Sequence, residues 1–292
     1  MGKRAISQTM DDLFGLPISP AAVCDLQQKT AAALEPVHAE AVAYTRTQPA
    51  NVDETGWKQG KSSAWLWAAV TATVTAFVIR LHRNRAAFDD LVGPSPPVLT
   101  TDRYSVYTHL PGDRRQVCWA HLRRDFQALI DRRNAGSEIG DALLVHANIL
   151  FEQWQRVRDG TLSRAEFCSQ HADWLRVEVR TLLERGTASS CPKTAGTCRE
   201  ILAVEASLWT FASVAGVEPT NNAAERAIRH AVCWRKTSYG TDSEAGSRFV
   251  ERVLTVVASC RQQGRNVQTF LLEAIQAARI GATPPSLVPT ST

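Results

Sequence analysis

Long unbroken apolar runs are missing from this 292-residue chain. The longest candidate, Ala64 to Ile79, is interrupted by Thr71, Thr73 and Thr75, so it is too short and too polar to span a bilayer and reads as sheet. The segment from Met1 to Ser7 lacks the apolar core of an export signal, which predicts a cytoplasmic protein with no membrane partner. Regularly spaced cysteines are also lacking. The seven, at 24, 118, 168, 191, 198, 233 and 260, are odd in number and irregular, which excludes a disulfide framework and predicts reduced thiols, mostly small core residues. Lysine is scarce, six against 27 arginines; guanidinium forks suit bidentate phosphate contact, although a GC-rich genome produces the same ratio. What remains, 44% hydrophobic and 21% charged residues, is enough for one large or two small domains with a full core.

The pattern along the chain alternates between sheet and helix. Residues 10 to 50 read as helical, with Ser19 and Pro20 as N-cap and first helical residue. The stretch Gly15 to Val23 also has the look of a helix-turn-helix turn, but without a basic face it reads as packing. Asn51 to Thr55 is a strand candidate and Ala64 to Arg80 two strands or a hairpin, with Trp65 and Trp67 on one side as core. A helix is expected near Ala86 to Val92. Val98 to Thr101 reads as a buried strand ending at Asp102, the strand end where open α/β sheets place ligands. Gln116 to Trp119 is a further strand candidate, and His121 to Arg133 shows an apolar helical face. Gly136 to Ala215 reads as helical throughout, with a loose connection at Ala188 to Gly196. Thr220 is placed to cap a helix carrying Glu225. Ser243 to Gln263 and Val267 to Ala278 are two more helices, and Pro284 to Thr292 reads as a disordered tail.

Three acids stand out by their surroundings: Asp53 in Asn51-Val-Asp-Glu-Thr-Gly-Trp57, Asp102 after Pro97-Val-Leu-Thr-Thr, and Glu225 in Pro219-Thr-Asn-Asn-Ala-Ala-Glu-Arg226. Carboxylates from separate elements that converge on two divalent ions can activate an attacking oxygen and stabilise a leaving one. Magnesium takes oxygen ligands and keeps several waters, so two or three Asp or Glu residues suffice, with manganese as the substitute. Glu54 points to the opposite strand face from Asp53. Glu244 and Glu251 are rivals of Glu225 for the third place. Arg123, Arg124, Asn221, Asn222, Arg226, Arg229, Arg235 and Lys236 follow the second and third acids or flank the third, and are the candidate DNA contacts. Cys118 and His121 could supply half of a zinc site. Zinc normally takes four ligands and no second close pair is present, so packing or hydrogen bonding is the expected role. Trp119 and Trp234 could stack on an unpaired base.

Several longer motifs occur in order: Asp53-Glu-Thr-Gly-Trp57, Trp65-Leu-Trp67, Thr101-Asp-Arg-Tyr-Ser-Val-Tyr107, Cys118-Trp-Ala-His-Leu-Arg-Arg-Asp-Phe126, Asn221-Asn-Ala-Ala-Glu-Arg-Ala-Ile-Arg229, Trp234-Arg-Lys236 and Gly246-Ser-Arg-Phe-Val-Glu-Arg252. Through them the chain resembles the IS66 family of bacterial insertion-sequence transposases over most of its length. The resemblance implies a DDE catalytic domain with Asp53, Asp102 and Glu225 as the triad. It also implies an α/β, RNase H-like mixed sheet with flanking helices, interrupted by an all-helical insertion before the last catalytic helix. The expected division is a helical N-terminal remnant over 1–48, the first part of the catalytic core over 49–135, the insertion over 136–215, the core's C-terminal helices over 216–280 and a disordered tail over 281–292. The implied partners are DNA ends and target, further copies of the chain on DNA, and accessory proteins of the same element, in the bacterial nucleoid. Family members carry an N-terminal extension of which only the last part precedes Asp53. A shortened chain is therefore expected to bind duplex DNA with little end preference. The competing readings are a nuclease of the same fold without strand transfer, and an inactive DNA-binding remnant.

Overall fold

A computed structural model describes residues 2–289. The chain is α/β, with a five-stranded mixed sheet and flanking helices. It opens with α1 (Lys3–Phe14), α2 (Pro20–Ala33) and α3 (Glu35–Thr45), then β1 (Ala50–Gln59), β2 (Ser62–Val70), β3 (Thr75–Arg80) and α4 (Arg85–Val92). Next come β4 (Leu99–Thr101), β5 (Arg115–Val117), α5 (Trp119–Asp131), α6 (Ser137–Arg158), α7 (Arg164–Phe167), α8 (Asp173–Thr187), α9 (Pro192–Leu202) and α10 (Thr210–Ser213). The chain closes with α11 (Asn222–Ser238), α12 (Glu244–Gln262) and α13 (Val267–Ile280). It divides into two compact units, 1–97 with 223–292, and 98–222. No helix among the described residues is long and apolar enough to cross a membrane.

In the first unit β1, β2 and β3 form an antiparallel meander. The β1–β2 turn is only Gly60 and Lys61, and Gly60 takes the left-handed conformation (φ 59°) that so tight a turn demands. Alternation assigns the faces. Leu66 and Ala68 pack with Ile228 and Ala231 of α11 and with Val250 and Leu254 of α12, while Trp67 turns the other way onto Phe88 of α4, ring centroids 6.3 Å apart. Trp67 is fully buried and Trp65 partly so, which agrees with their reading as core.

The outer edge of β3 would present unpaired peptide groups, and helix α12 closes it with side chains instead of a strand. Ser259, Thr255 and Glu251, spaced one helical turn apart, accept the N–H groups of Thr75, Phe77 and Ile79 at 3.0, 3.0 and 2.8 Å. Arg248 donates to the Ile79 carbonyl at 2.7 Å, and the His38 Nε2 reaches the Phe77 carbonyl at the same distance. This polar seam is buried, so each pairing avoids the cost of an orphaned peptide group.

The second unit pairs β4 and β5 in parallel and builds one apolar core from α5 to α10, in which Trp154 packs edge-on against Phe167 and Phe211. The free side of β5 is again closed by side-chain hydrogen bonds: Thr210 donates to the Arg115 carbonyl at 2.7 Å, and Gln116 accepts the Phe211 N–H at 2.7 Å. Residues 136–215 carry helices and no strand.

Several expectations are corrected. The helical reading of 10–50 breaks over 15–19, where the left-handed Gly15 (φ 62°) ends α1, and again at Leu34, where Pro36 begins a new first turn; α3 ends at Thr45 and β1 begins at Ala50. The loose connection at 188–196 gives way to α9 at Pro192, which favours a helix start. Helix α11 starts at Asn222, so Thr220 is not adjacent to it. The tail is laid down as far as residue 289: Leu287 is fully buried with Val256 and Phe270, and the Ser286 hydroxyl bonds Glu40 at 2.8 Å. Residues 290–292 lie outside the described residues. Trp119 is also fully buried, its Nε1 donating to the Leu208 carbonyl at 2.7 Å, so it offers no face to a base.

Candidate active site

Asp53 and Glu54 are neighbours on β1 with different surroundings. Asp53 stands opposite Ala68 and Glu54 opposite Trp67, so Asp53 lies on the sheet face that α11 and α12 cover, and Glu54 on the face of the tryptophans. The Glu54 side chain is only 2% exposed and is paired with Arg83, whose guanidinium also lies 4.8 Å above the Trp65 ring. A carboxylate so enclosed is a structural anchor. Asp53 is half-buried, and its Oδ1 accepts the Glu54 N–H at 2.9 Å.

Glu225 is half-buried in the first turn of α11. The same helix is fastened to β1 at its other end, where Arg235 donates to the Gly56 carbonyl and, at 3.4 Å, to the Thr55 hydroxyl. Helix α11 therefore packs along the sheet face that bears Asp53, with Glu225 at its start. The two rivals are placed otherwise. Glu251 is buried in the β3 seam, where it meets Arg248 at 3.0 Å, and burial raises its pKa against the pull of Arg248 and the Ile79 N–H. Glu244 is exposed in the first turn of α12.

In the second unit Asp102 follows the C-terminal end of β4, half-buried, with Oδ1 accepting the Tyr104 N–H at 2.9 Å. The strand end beneath it is braced by Arg115. That guanidinium donates to the Asp102 carbonyl at 2.8 Å and to the Thr101 hydroxyl at 3.1 Å. Arg115 is 2% exposed; burial pushes its pKa down to about 10, and the neighbouring Asp102 works against that shift. The sequence marks Arg115 only as one more arginine, and nothing local sets it apart.

Cys118 precedes α5 and is buried, its sulfur accepting the Asn221 N–H at 3.2 Å. His121 stands 3.2 Å from the Arg124 guanidinium. Among the described residues no three His, Cys, Asp or Glu side chains gather tightly enough to cage a metal. An ion held by these carboxylates would rest on fewer protein ligands at a time and keep much of its water, as magnesium does.

The candidate DNA contacts divide by exposure. Arg123, Arg124, Asn222, Arg226, Arg229 and Lys236 are exposed, and Arg123 lies 5.4 Å over the Phe151 ring. Asn221 is fully buried and presents no surface to a duplex, a correction to its place among the contacts. Arg235 is spent on β1, so its first duty is to hold α11. Trp234 packs against the core between the sheet and α11.

The sequence profile of the transposase IS66 family matches residues 3–248. The chain is 28% identical over 239 residues to the uncharacterized protein y4qI of Sinorhizobium fredii, a match covering 74% of this chain and 44% of that protein. It thus spans less than half the length of that relative. No solved structure matches.

Proposed function

Because the chain belongs to the transposase IS66 family, which makes DNA its partner, we propose that it cuts and rejoins DNA strands by metal-dependent phosphoryl transfer on an RNase H-like core. Asp53, Asp102 and Glu225 are the acids of this reading. The observation that carries it is the placing of Asp53 on the one sheet face that α11, the helix of Glu225, covers. The nearby alternatives, Glu54 and Glu251, are tied into buried pairs with arginines.

The carboxylate oxygens suit a hard divalent cation, and magnesium bound there would neutralise charge on the phosphate and favour the attacking oxygen. The chemistry has two steps. A water attacks a phosphodiester at the element end, leaving a 3′-hydroxyl on one side and a 5′-phosphate on the other. That 3′-hydroxyl then attacks a target phosphodiester, forming the new bond and displacing a 3′-hydroxyl from the target. Arg115 holds the strand end that presents Asp102, and Arg235 holds the helix that presents Glu225. Exposed Arg226, Arg229 and Lys236 on the same helix are placed to engage the phosphate backbone.

The test is labelled DNA carrying the sequences that bracket the element, incubated with protein and Mg²⁺, with cleaved and joined products resolved. Asp53→Asn, Asp102→Asn and Glu225→Gln are each expected to abolish both products while the fold melts at or above the parent temperature, since like charges brought together cost folding energy. Full cleavage by any of the three removes that residue from the triad. Cleavage without joined products leaves a nuclease.

A further inference from the structure

Between α11 and α12, over the ends of β2 and β3, lies a cleft of about 390 Å³ that the proposed chemistry touches only at Arg226 on its rim. Its floor is apolar, made by the half-buried Ala227, Val257 and Ala258 over the buried Val70, Phe77 and Leu254, and its rim carries Arg226, His230 and Arg261. Arg226 and His230 are one turn apart on α11, so both project over the same face, and Arg261 meets them from α12. No Asp or Glu lines the cleft. Lone cations on a surface are usually solvated and carry no message, but two guanidinium groups and an imidazole around an apolar floor, with no carboxylate to answer them, select an anion that has an apolar face.

We propose that this cleft takes one unpaired nucleotide of the DNA, its base against the floor and its phosphate between Arg226 and Arg261. The proposal rests on the reading of the chain as a DNA-processing protein and adds to it a specific feature of the substrate. A paired duplex meets the rim with its phosphates alone and leaves the floor wet. A nucleotide swung out of the stack also removes the floor from water, and the loss of pairing is smallest where the base is already unpaired. The cleft volume is at the small end of the range for ligand sites, which suits a single nucleotide and excludes a duplex. Glu225 precedes Arg226 on the same helix, so the cleft opens on the helix that carries one of the proposed acids.

The experiment compares two fluorescent DNA duplexes of the same sequence, one fully paired and one with a single bulged thymidine, in a binding titration without divalent metal. The bulged duplex is expected to bind about tenfold tighter, the scale of covering roughly 50–60 Å² of apolar surface. Ala258 also lines the cleft, and Ala258→Phe fills it while keeping Arg226, His230 and Arg261, so the ratio should fall to about one with paired-duplex binding unchanged. Should that variant fold poorly, Arg261→Ala on the exposed face of α12 replaces it and should lower the ratio at least threefold. Equal binding of the two duplexes by the parent protein overturns the proposal, as does a folded Ala258→Phe variant that keeps the preference. The outcome is separable from that of the cleavage test: preference without cleavage sinks the catalytic reading alone, and cleavage without preference sinks the cleft.

Discussion

Replacing His38 by glutamine should remove a large part of the acid sensitivity of the first unit. The His38 ring is packed against β3, with Nε2 2.7 Å from the Phe77 carbonyl, so the hydrogen bond is donated by a neutral imidazole. Burial lowers its pKa from 6.5 to about 4, with Arg252, Arg248 and Arg80 adding repulsion and the Phe77 bond opposing. Since the folded pKa lies below the unfolded one, the unfolded chain holds more protons between these values. Stability present at neutral pH is therefore lost as pH falls from 6.5 toward 4. Two proton-binding polynomials with those pKa values differ by about 2 kcal/mol at pH 5 and by only about 0.2 kcal/mol at pH 7. Glu251, whose pKa is raised by burial, works in the opposite direction on acidification, so the parent's own slope mixes the two. The difference between parent and His38→Gln isolates the histidine, because the amide keeps an N–H for the Phe77 carbonyl and does not titrate.

The measurement is urea unfolding at pH 7 and pH 5, followed by amide-exchange mass spectrometry on peptides covering 75–80, which report the unit that holds His38. Parent and variant should differ little at pH 7 beyond a constant offset. Between pH 7 and 5 the parent should lose about 2 kcal/mol more than the variant. Parallel losses would refute the reasoning, and would mean that the ring is already solvated in the native state.

Further outcomes follow from the ion pairs and the exposed cations. Arg83→Ala should cost about 3–5 kcal/mol by taking the guanidinium from the buried Glu54 carboxylate, and the double change Glu54→Leu with Arg83→Leu should recover most of it; chemical denaturation measures both. Arg235→Ala should lower stability by about 1–3 kcal/mol, whereas Arg229→Ala, which holds no strand, should leave the melting temperature unmoved. Changing Arg226, Arg229 and Lys236 together to Ala should weaken fully paired duplexes of every sequence alike and flatten the logarithmic salt dependence of binding by about 2–3; a loss confined to one DNA sequence would oppose that reading. Elemental analysis should find no stoichiometric zinc, and about one zinc per chain that disappears in Cys118→Ser would give the Cys118 and His121 pair a metal role.

The sequence carried its local periods faithfully and its long-range pairings not at all. Residues of high strand propensity marked the β2–β3 hairpin, and helical spacing marked α5, because a side chain's local preference and face are set within a few residues. Ser19 and Pro20 announced the start of α2 in the same local way, and the Ser19 hydroxyl does accept the Ala22 N–H at 3.1 Å. Asp53 could be separated from Glu54 by strand alternation alone, and the register agrees. The polar residues that lock the site were not legible. Arg115 and Arg235 read as two more members of an arginine-rich set, yet one braces the end of β4 and the other fixes α11 on β1. Glu251 read as a rival acid, and its partner, the Ile79 N–H, lies 172 residues away. A charged side chain in a sequence states what it can bond, and the fold decides which peptide edge or phosphate it meets. The exposed cations of α11 therefore remain the candidates for DNA, while the cations that the fold has enclosed have the prior task of keeping the acids in place.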